Sequence, residues 1–246
     1  MRIALFADIH ANRQAFEACL AQARACGADQ LVLLGDYVGY GADPDWTVSK
    51  VMELVGEGAV AVRGNHDNAA AGAFESMNEM AEIAIEWTCG QLGPEQKQFL
   101  AGLPMTAQSG ERFYVHADAS DPTAWNYVAS VEDAAENFAA VRERLLFCGH
   151  IHLPQLYSMP VTGKIVRSIP ENDVAIPIPP DRRWLAVLGS VGQPRDRNPA
   201  ATWCLLDTAT NELTCCRAPY DVELAAERIR KAGLPRWLGD RLLQGR

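Results

Sequence analysis

The sequence has no C-x-x-C pair, and its seven cysteines (Cys19, Cys26, Cys89, Cys148, Cys204, Cys215 and Cys216) are odd in number and scattered. A zinc ribbon or a disulfide framework therefore has little support, and reduced core thiols in a cytoplasmic protein are expected. No segment reaches the ~18 apolar residues that a membrane span needs. The first apolar run, Ile3–Ala7, is too short for a secretory leader and meets Asp8 at once. Basic residues form no long block, and 22 Lys and Arg stand against 31 Asp and Glu, a formal charge of −9. Proteins that coat DNA or RNA draw affinity from cations neutralising phosphates, so general nucleic-acid binding is disfavoured. A phosphate-bearing substrate drawn to a local positive site remains compatible with that charge. Repeats, low-complexity segments and usable linkers are all missing, so one domain over residues 1–246 is expected, with no membrane partner and no evident oligomeric state. Histidine is scarce too, five in 246 residues, and where those five fall carries the argument.

What is present alternates. Ile3–Ala7, Leu31–Leu34 and Ala59–Val62 read as buried strands. Between them, Asn12 to Cys26 carries Ala15, Phe16, Cys19, Leu20 and Ala23 at helical spacing, and Val48, Val51, Met52 and Val55 do the same after Asp43-Pro44. This β-α-β-α-β order predicts a parallel sheet with helices packed on it. Residues 68–103 read as mostly helical. Phe113–Val115 and Leu145–Cys148 are further short strands, with a helix around Val131–Arg144 between them. Prolines then cluster (Pro170, Pro177, Pro179, Pro180). Trp184–Leu188, Ala201–Leu206 and Leu213–Cys216 follow as strands, with a hairpin at Thr208–Asn211. These late strands are expected to form a second sheet. A helical tail from Asp221 is interrupted near Gly233-Leu234-Pro235.

In open α/β sheets, ligands bind beyond the carboxyl ends of the strands. Five of these strands end in polar groups: Asp8-Ile9-His10, Gly35-Asp36, Gly64-Asn65-His66-Asp67, His116 and Gly149-His150-Ile151-His152. All five histidines belong to this set. Taken singly, Asp8-x-His10, Gly35-Asp36 and Gly64-Asn65 read as turns and helix caps, and His116 as a core histidine. Only His150-x-His152 stands alone as a metal signal, because two adjacent imidazoles are costly to bury without a partner. Five unrelated turns would not collect every histidine of the chain. Carboxylate, amide and imidazole ligands suit manganese, iron, zinc, cobalt or nickel, and not the all-oxygen preference of calcium. Any candidate beyond four exceeds one tetrahedral ion, so two ions sharing a carboxylate are expected. Such a pair acidifies a bridging water to hydroxide and clamps an in-line displacement at phosphorus. It also makes the site cationic inside an acidic protein.

The order and spacing of these motifs resemble the calcineurin-like metallophosphoesterase family, whose pattern is D-x-H, G-D, G-N-H-[DE], a lone His and G-H-x-H. The resemblance covers residues 1 to about 155, and Gly189–Arg195 resembles a loop of its small bacterial and archaeal phosphodiesterase-like members. It implies a four-layer α-β-β-α sandwich of two mixed sheets flanked by helices. One ion would be held by Asp8, His10, Asp36 and His152, and a second by Asp36, Asn65, His116 and His150. His66 would be the non-ligand histidine that protonates the leaving oxygen or stabilises the charged transition state, with Asp67 or another carboxylate orienting it. The implied cofactors are two divalent ions, manganese first, and the implied partner is a small or nucleotide-like phosphoester.

The sequence also departs from the pattern. After Asp36 it runs Tyr37-Val38-Gly39-Tyr40-Gly41, without the arginine that phosphoprotein phosphatases and dinucleoside tetraphosphate hydrolases place there. Those two activities are therefore disfavoured, and Arg195 and Arg63 become the candidates for a phosphate clamp. His116 is followed by Ala117-Asp118 where a glycine is usual. Tyr37, Tyr40 and Trp125 offer rings to a nucleobase, although core packing is the expected role of each. The expectation is a phosphodiesterase. The alternative is a metal-binding scaffold on the same fold, whose hallmark, loss of ligands or of His66, is not seen.

Overall fold

The computed structural model describes residues 1–73 and 79–246. Strand β1 (Arg2–Phe6) lies parallel to β2 (Gln30–Leu33), which lies parallel to β3 (Val60–Ala61). On the other side β1 pairs antiparallel with β11 (Ala201–Asp207), followed by β12 (Glu212–Ala218) and β9 (Ala175–Pro177). The second sheet runs β4 (Thr106–Ser109), β5 (Arg112–Val115), β6 (Leu145–Cys148), β10 (Arg182–Val187), β7 (Gln155–Pro160), β8 (Val166–Ser168). Both sheets are mixed: β5, β6 and β10 are mutually parallel, and β7 runs against β10.

The continuous apolar runs of the sequence mark strands covered on both faces. Side chains alternate along a strand, so Ile3 and Leu5 of β1 meet Leu145 and Phe147 of β6 between the sheets. Ala4 and Phe6 turn outward onto helix α1 (Arg13–Ala25) and α2 (Pro44–Gly56), against Phe16, Leu20 and Val51. Leu146 and Cys148 turn the other way, onto Ala134 and Phe138 of α6 (Val131–Ala140). Each fully buried large apolar side chain contributes about 1.5–3 kcal/mol. The result is four layers, helix, sheet, sheet, helix.

The short helix α3 (Asn65–Ala70) follows β3, and α4 (Glu79–Gln91) and α5 (Pro94–Gly102) complete the region read as helical, residues 74–78 of which lie outside the described residues. The C-terminal helices α7 (Val222–Lys231) and α8 (Arg236–Leu242) fold back over Tyr40 and α4. No helix among the described residues is long and apolar enough to cross a membrane.

Two expectations need correction. The late strands do not make a sheet of their own: β11 and β12 join β1, whereas β10 joins β5 and β6. The rim of polar strand ends is accordingly shared between two sheets, three ends from one and two from the other. Strands β4, β7, β8 and β9 were also not foreseen, since Thr106–Ser109 and Gln155–Pro160 carry few β-branched residues and no apolar run.

Candidate metal centre

The parallel ladder of β1 and β2 continues past the strands. Asp8 N–H donates to Gly35 O at 3.1 Å, His10 N–H to Asp36 O at 2.9 Å and Ala11 N–H to Tyr37 O at 2.8 Å. The two carboxylate-bearing turns are thereby zipped together. Asp8, His10, Asp36, His150 and His152 all have positive φ, between 47° and 69°. That region is sparsely populated by non-glycine residues, and each such residue stores strain of order 1–3 kcal/mol. Asp8 and His10 lie beyond the end of β1, and in this bent, left-handed stretch both face the same point.

The loop after β10 seals this turn from the other side. Val191 N–H donates to Ala7 O at 3.0 Å and Gly192 N–H to Asp8 O at 2.9 Å, and Ser190 Oγ donates to Asp8 O at 2.7 Å. The sheets are then tied at the centre, where His150 N–H from β6's loop donates to both oxygens of Asp8 at 3.1 Å.

Ligand atoms of Asp8, His10 and His152 lie within 4.8 Å of one another, as do those of Asp36, His116 and His150. A third, overlapping group joins His10, Asp36 and His66. Asn65 points its Oδ1 at His116 Nε2, 3.2 Å away. All seven residues expected as ligands therefore converge, Asp36 in the middle, with its Oδ2 at 3.6 Å from His10 Nε2 and 3.4 Å from His116 Nε2. Gly64 has to be a glycine, because a Cβ there would overlap Asp36 Oδ1.

The outward nitrogens define what the inward ones are. His10 Nδ1 faces Val38 O at 3.0 Å, His116 Nδ1 faces Leu34 O at 2.7 Å, His150 Nε2 faces Trp125 O at 2.9 Å and His152 Nδ1 faces Gln193 O at 2.8 Å. A carbonyl oxygen only accepts, so each of these nitrogens carries the proton. Burial keeps His10 and His152 well below the ordinary imidazole value and His150 at about 3, hence neutral, with lone pairs turned inward. His10 Nε2 and His152 Nε2 stand only 3.0 Å apart in this state. Burial works against a charged His116 as well, but Asp36 and then Asp8 outweigh it and lift it to about 9. Burial raises Asp8 to about 7. Burial also opposes ionisation of Asp36, yet His116, His66 and His10 together hold its carboxyl well below the usual range. This donor set calls for positive charge, and it fits divalent cations.

His66 is built differently from the other four. Its Nδ1 is buried without a hydrogen-bond partner among the described residues, and its Nε2 is 4.0 Å from Asp36 Oδ2. Its ring packs at 4.6 Å from Tyr40 and 4.9 Å from His10. Gly39, at φ 85°, makes room for it, since a Cβ there would overlap His66 Nδ1. Asp67 does not orient His66. Its carboxylate accepts instead from the backbone N–H of Asp36 at 2.8 Å, Tyr37 at 2.9 Å and Gly64 at 2.9 Å, bracing the loop after β2 against the start of α3.

A cavity of about 360 Å³ opens over Asp36, Asn65, His66, His150 and His152. Arg195 lines it, with Nη2 on Gln193 Oε1 at 3.0 Å and Nε buried without a partner among the described residues. Arg63 is placed elsewhere: Nε and Nη2 donate to Leu103 O and Nη1 to Asn68 Oδ1, so it braces the region behind the cavity and is not part of its wall. Tyr37 is fully buried, with its hydroxyl on Leu33 O and Val62 O. Trp125 does reach the cavity, together with Tyr127, which the sequence reading missed. Tyr127 sits in an aperiodic connection between β5 and α6, where nothing in the sequence sets it apart.

Residues 1–211 match the model of the calcineurin-like phosphoesterase superfamily domain. An uncharacterised protein of Methanocaldococcus jannaschii is 33% identical over 251 residues, spanning 99% of this chain and 98% of its own. Among solved structures, a metallophosphoesterase from Sphaerobacter thermophilus is 33% identical with a TM-score of 0.87, over 100% of this chain and 99% of that one. A hypothetical protein from Pyrococcus horikoshii shares the fold at 20% identity, with a TM-score of 0.81 over 100% and 98% of the two chains. With that match over residues 1–211 and these relatives, the chain belongs to the calcineurin-like phosphoesterase superfamily of metal-dependent phosphoester hydrolases.

Proposed function

We propose that this hydrolase is a dinuclear phosphodiesterase acting on a small, nucleotide-like phosphoester. One observation carries the reading: four imidazoles, each fixed by a backbone carbonyl on its outer nitrogen, turn their inner nitrogens onto two aspartates and an asparagine oxygen. Asp8, His10, Asp36 and His152 would hold one ion, and Asp36, Asn65, His116 and His150 the other. Bound there, two divalent ions supply Lewis acidity and an acidified water.

The rest falls to side chains. Arg195 offers its guanidinium to the phosphoryl oxygens. His66, the one histidine without a carbonyl on its ring among the described residues, gives a proton or a hydrogen bond to the leaving oxygen. One water is consumed: its oxygen adds to phosphorus, the phosphorus–oxygen ester bond breaks, and the departing alkoxide takes up a proton. Manganese as the resident ion fits the mixed imidazole and carboxylate set, and a cytoplasmic setting fits the unpaired pattern of cysteines in the sequence.

Metal analysis and turnover test the proposal together. Two manganese ions per chain and hydrolysis of bis-p-nitrophenyl phosphate are expected. Absence of bound metal, together with no turnover under any divalent cation, would favour the scaffold reading.

A further inference from the structure

We propose that Tyr127 is a stacking platform that selects phosphoesters whose alcohol portion carries a planar aromatic ring. This rests on the hydrolase reading above for the phosphoryl end of the substrate. The cavity of about 360 Å³ has the volume of about twelve waters at ~30 Å³ each. A phosphate group has five heavy atoms, so space beyond it is left for the organic part of the ester. The wall on that side is apolar and aromatic, made by Ala124, Trp125 and Tyr127 from the connection between β5 and α6.

Tyr127 differs from the other tyrosines near the centre. It is 54% exposed, whereas Tyr40 is 7% exposed and Tyr37 fully buried. Its ring lies on the imidazole of His150, with centroids 4.5 Å apart and planes 23° from parallel. That contact sets the orientation of the tyrosine at the rim of the ligand cluster. The supporting loop is held at several points. Trp125, at φ 55°, gives its carbonyl to His150 Nε2–H at 2.9 Å. Asp118 accepts from Ser120 N–H at 2.8 Å, Ser120 Oγ at 2.7 Å and Asn126 Nδ2 at 3.4 Å. A ring positioned in this way offers its face to a ligand at little entropic cost, and an offset stack is worth about tenfold in affinity.

Benzylphosphonate and butylphosphonate test the platform. They carry the same charge, and their carbon–phosphorus bond is not a phosphoester, so hydrolysis does not consume them. Calorimetric titration of the manganese-loaded protein is expected to give about tenfold tighter binding of the benzyl ligand. The ratio should fall toward one in Tyr127→Ala and Tyr127→Leu and be kept in Tyr127→Phe, with the metal content of each variant checking its fold. Equal binding of the two ligands by the native protein overturns the proposal. So does an unchanged ratio in Tyr127→Ala, which would mean that the tyrosine acts only through His150. Turnover of bis-p-nitrophenyl phosphate, measured alongside, separates the two readings. Turnover without discrimination removes the platform alone, and discrimination without turnover removes the hydrolase alone.

Discussion

Replacing Asp67 by asparagine should act on the frame of the metal centre and not on the proton donor beside it. The carboxylate accepts three close backbone hydrogen bonds, from Asp36 and Gly64 on Oδ2 and from Tyr37 on Oδ1, and a longer one from Val38 at 3.4 Å. An amide has one accepting end. If its oxygen faces Asp36 and Gly64, its NH2 confronts the N–H of Tyr37; if it turns over, two donors are confronted instead. A buried donor left unpaired costs about 1–3 kcal/mol, and the remaining bonds lose their charge assistance, so a total near 3 kcal/mol is expected. For a chain of this length that corresponds to a fall in melting temperature of roughly 6–12 °C. Because the same bonds position Asp36, affinity for the metals should fall about 10- to 100-fold. Differential scanning calorimetry and metal titration read the two effects. A melting point within about 2 °C of the native protein, with unchanged metal affinity, would refute the brace.

His66→Ala should keep its metals and lose roughly 10²- to 10⁴-fold in kcat; loss of an ion would make His66 a ligand. Arg195→Ala should lower kcat/KM roughly 10- to 100-fold for phosphodiesters, and Arg195→Lys should restore little if the guanidinium contacts two oxygens at once. An unchanged kcat/KM would remove Arg195 from substrate binding. Metal affinity should climb with pH, because a cation must displace the protons that Asp8 holds up to about 7 and His116 up to about 9. Each ion should gain about tenfold per pH unit below the value of its own ligand and level off above it. Titrations from pH 6 to 9 that show affinity falling with rising pH would contradict this assignment.

The convergence of the residues expected as ligands was legible because each follows a strand end within four residues, and because no histidine of the chain lies away from a strand end. The layers were only partly legible. Ile3–Ala7 and Leu145–Cys148 announce burial on both faces, but an apolar run does not say which sheet it joins; Leu206 and Leu213 pair with each other just as well in either. The groups that hold the imidazoles in place are less visible still. Val38, Leu34, Trp125 and Gln193 fix the imidazoles through backbone carbonyls, and a carbonyl leaves no mark on residue identity. Of the carboxylates expected beside His66, Asp67 or another, it is Asp36 that lies near the ring and Asp67 that turns to the backbone, since adjacency in sequence says nothing about which way a side chain leaves a helix's first turn. There the carboxylate meets free backbone N–H groups, of its own helix and of the loop after β2. The same limit explains Tyr127: residues that act by offering a surface lie in aperiodic loops, and only the fold brings them to the site.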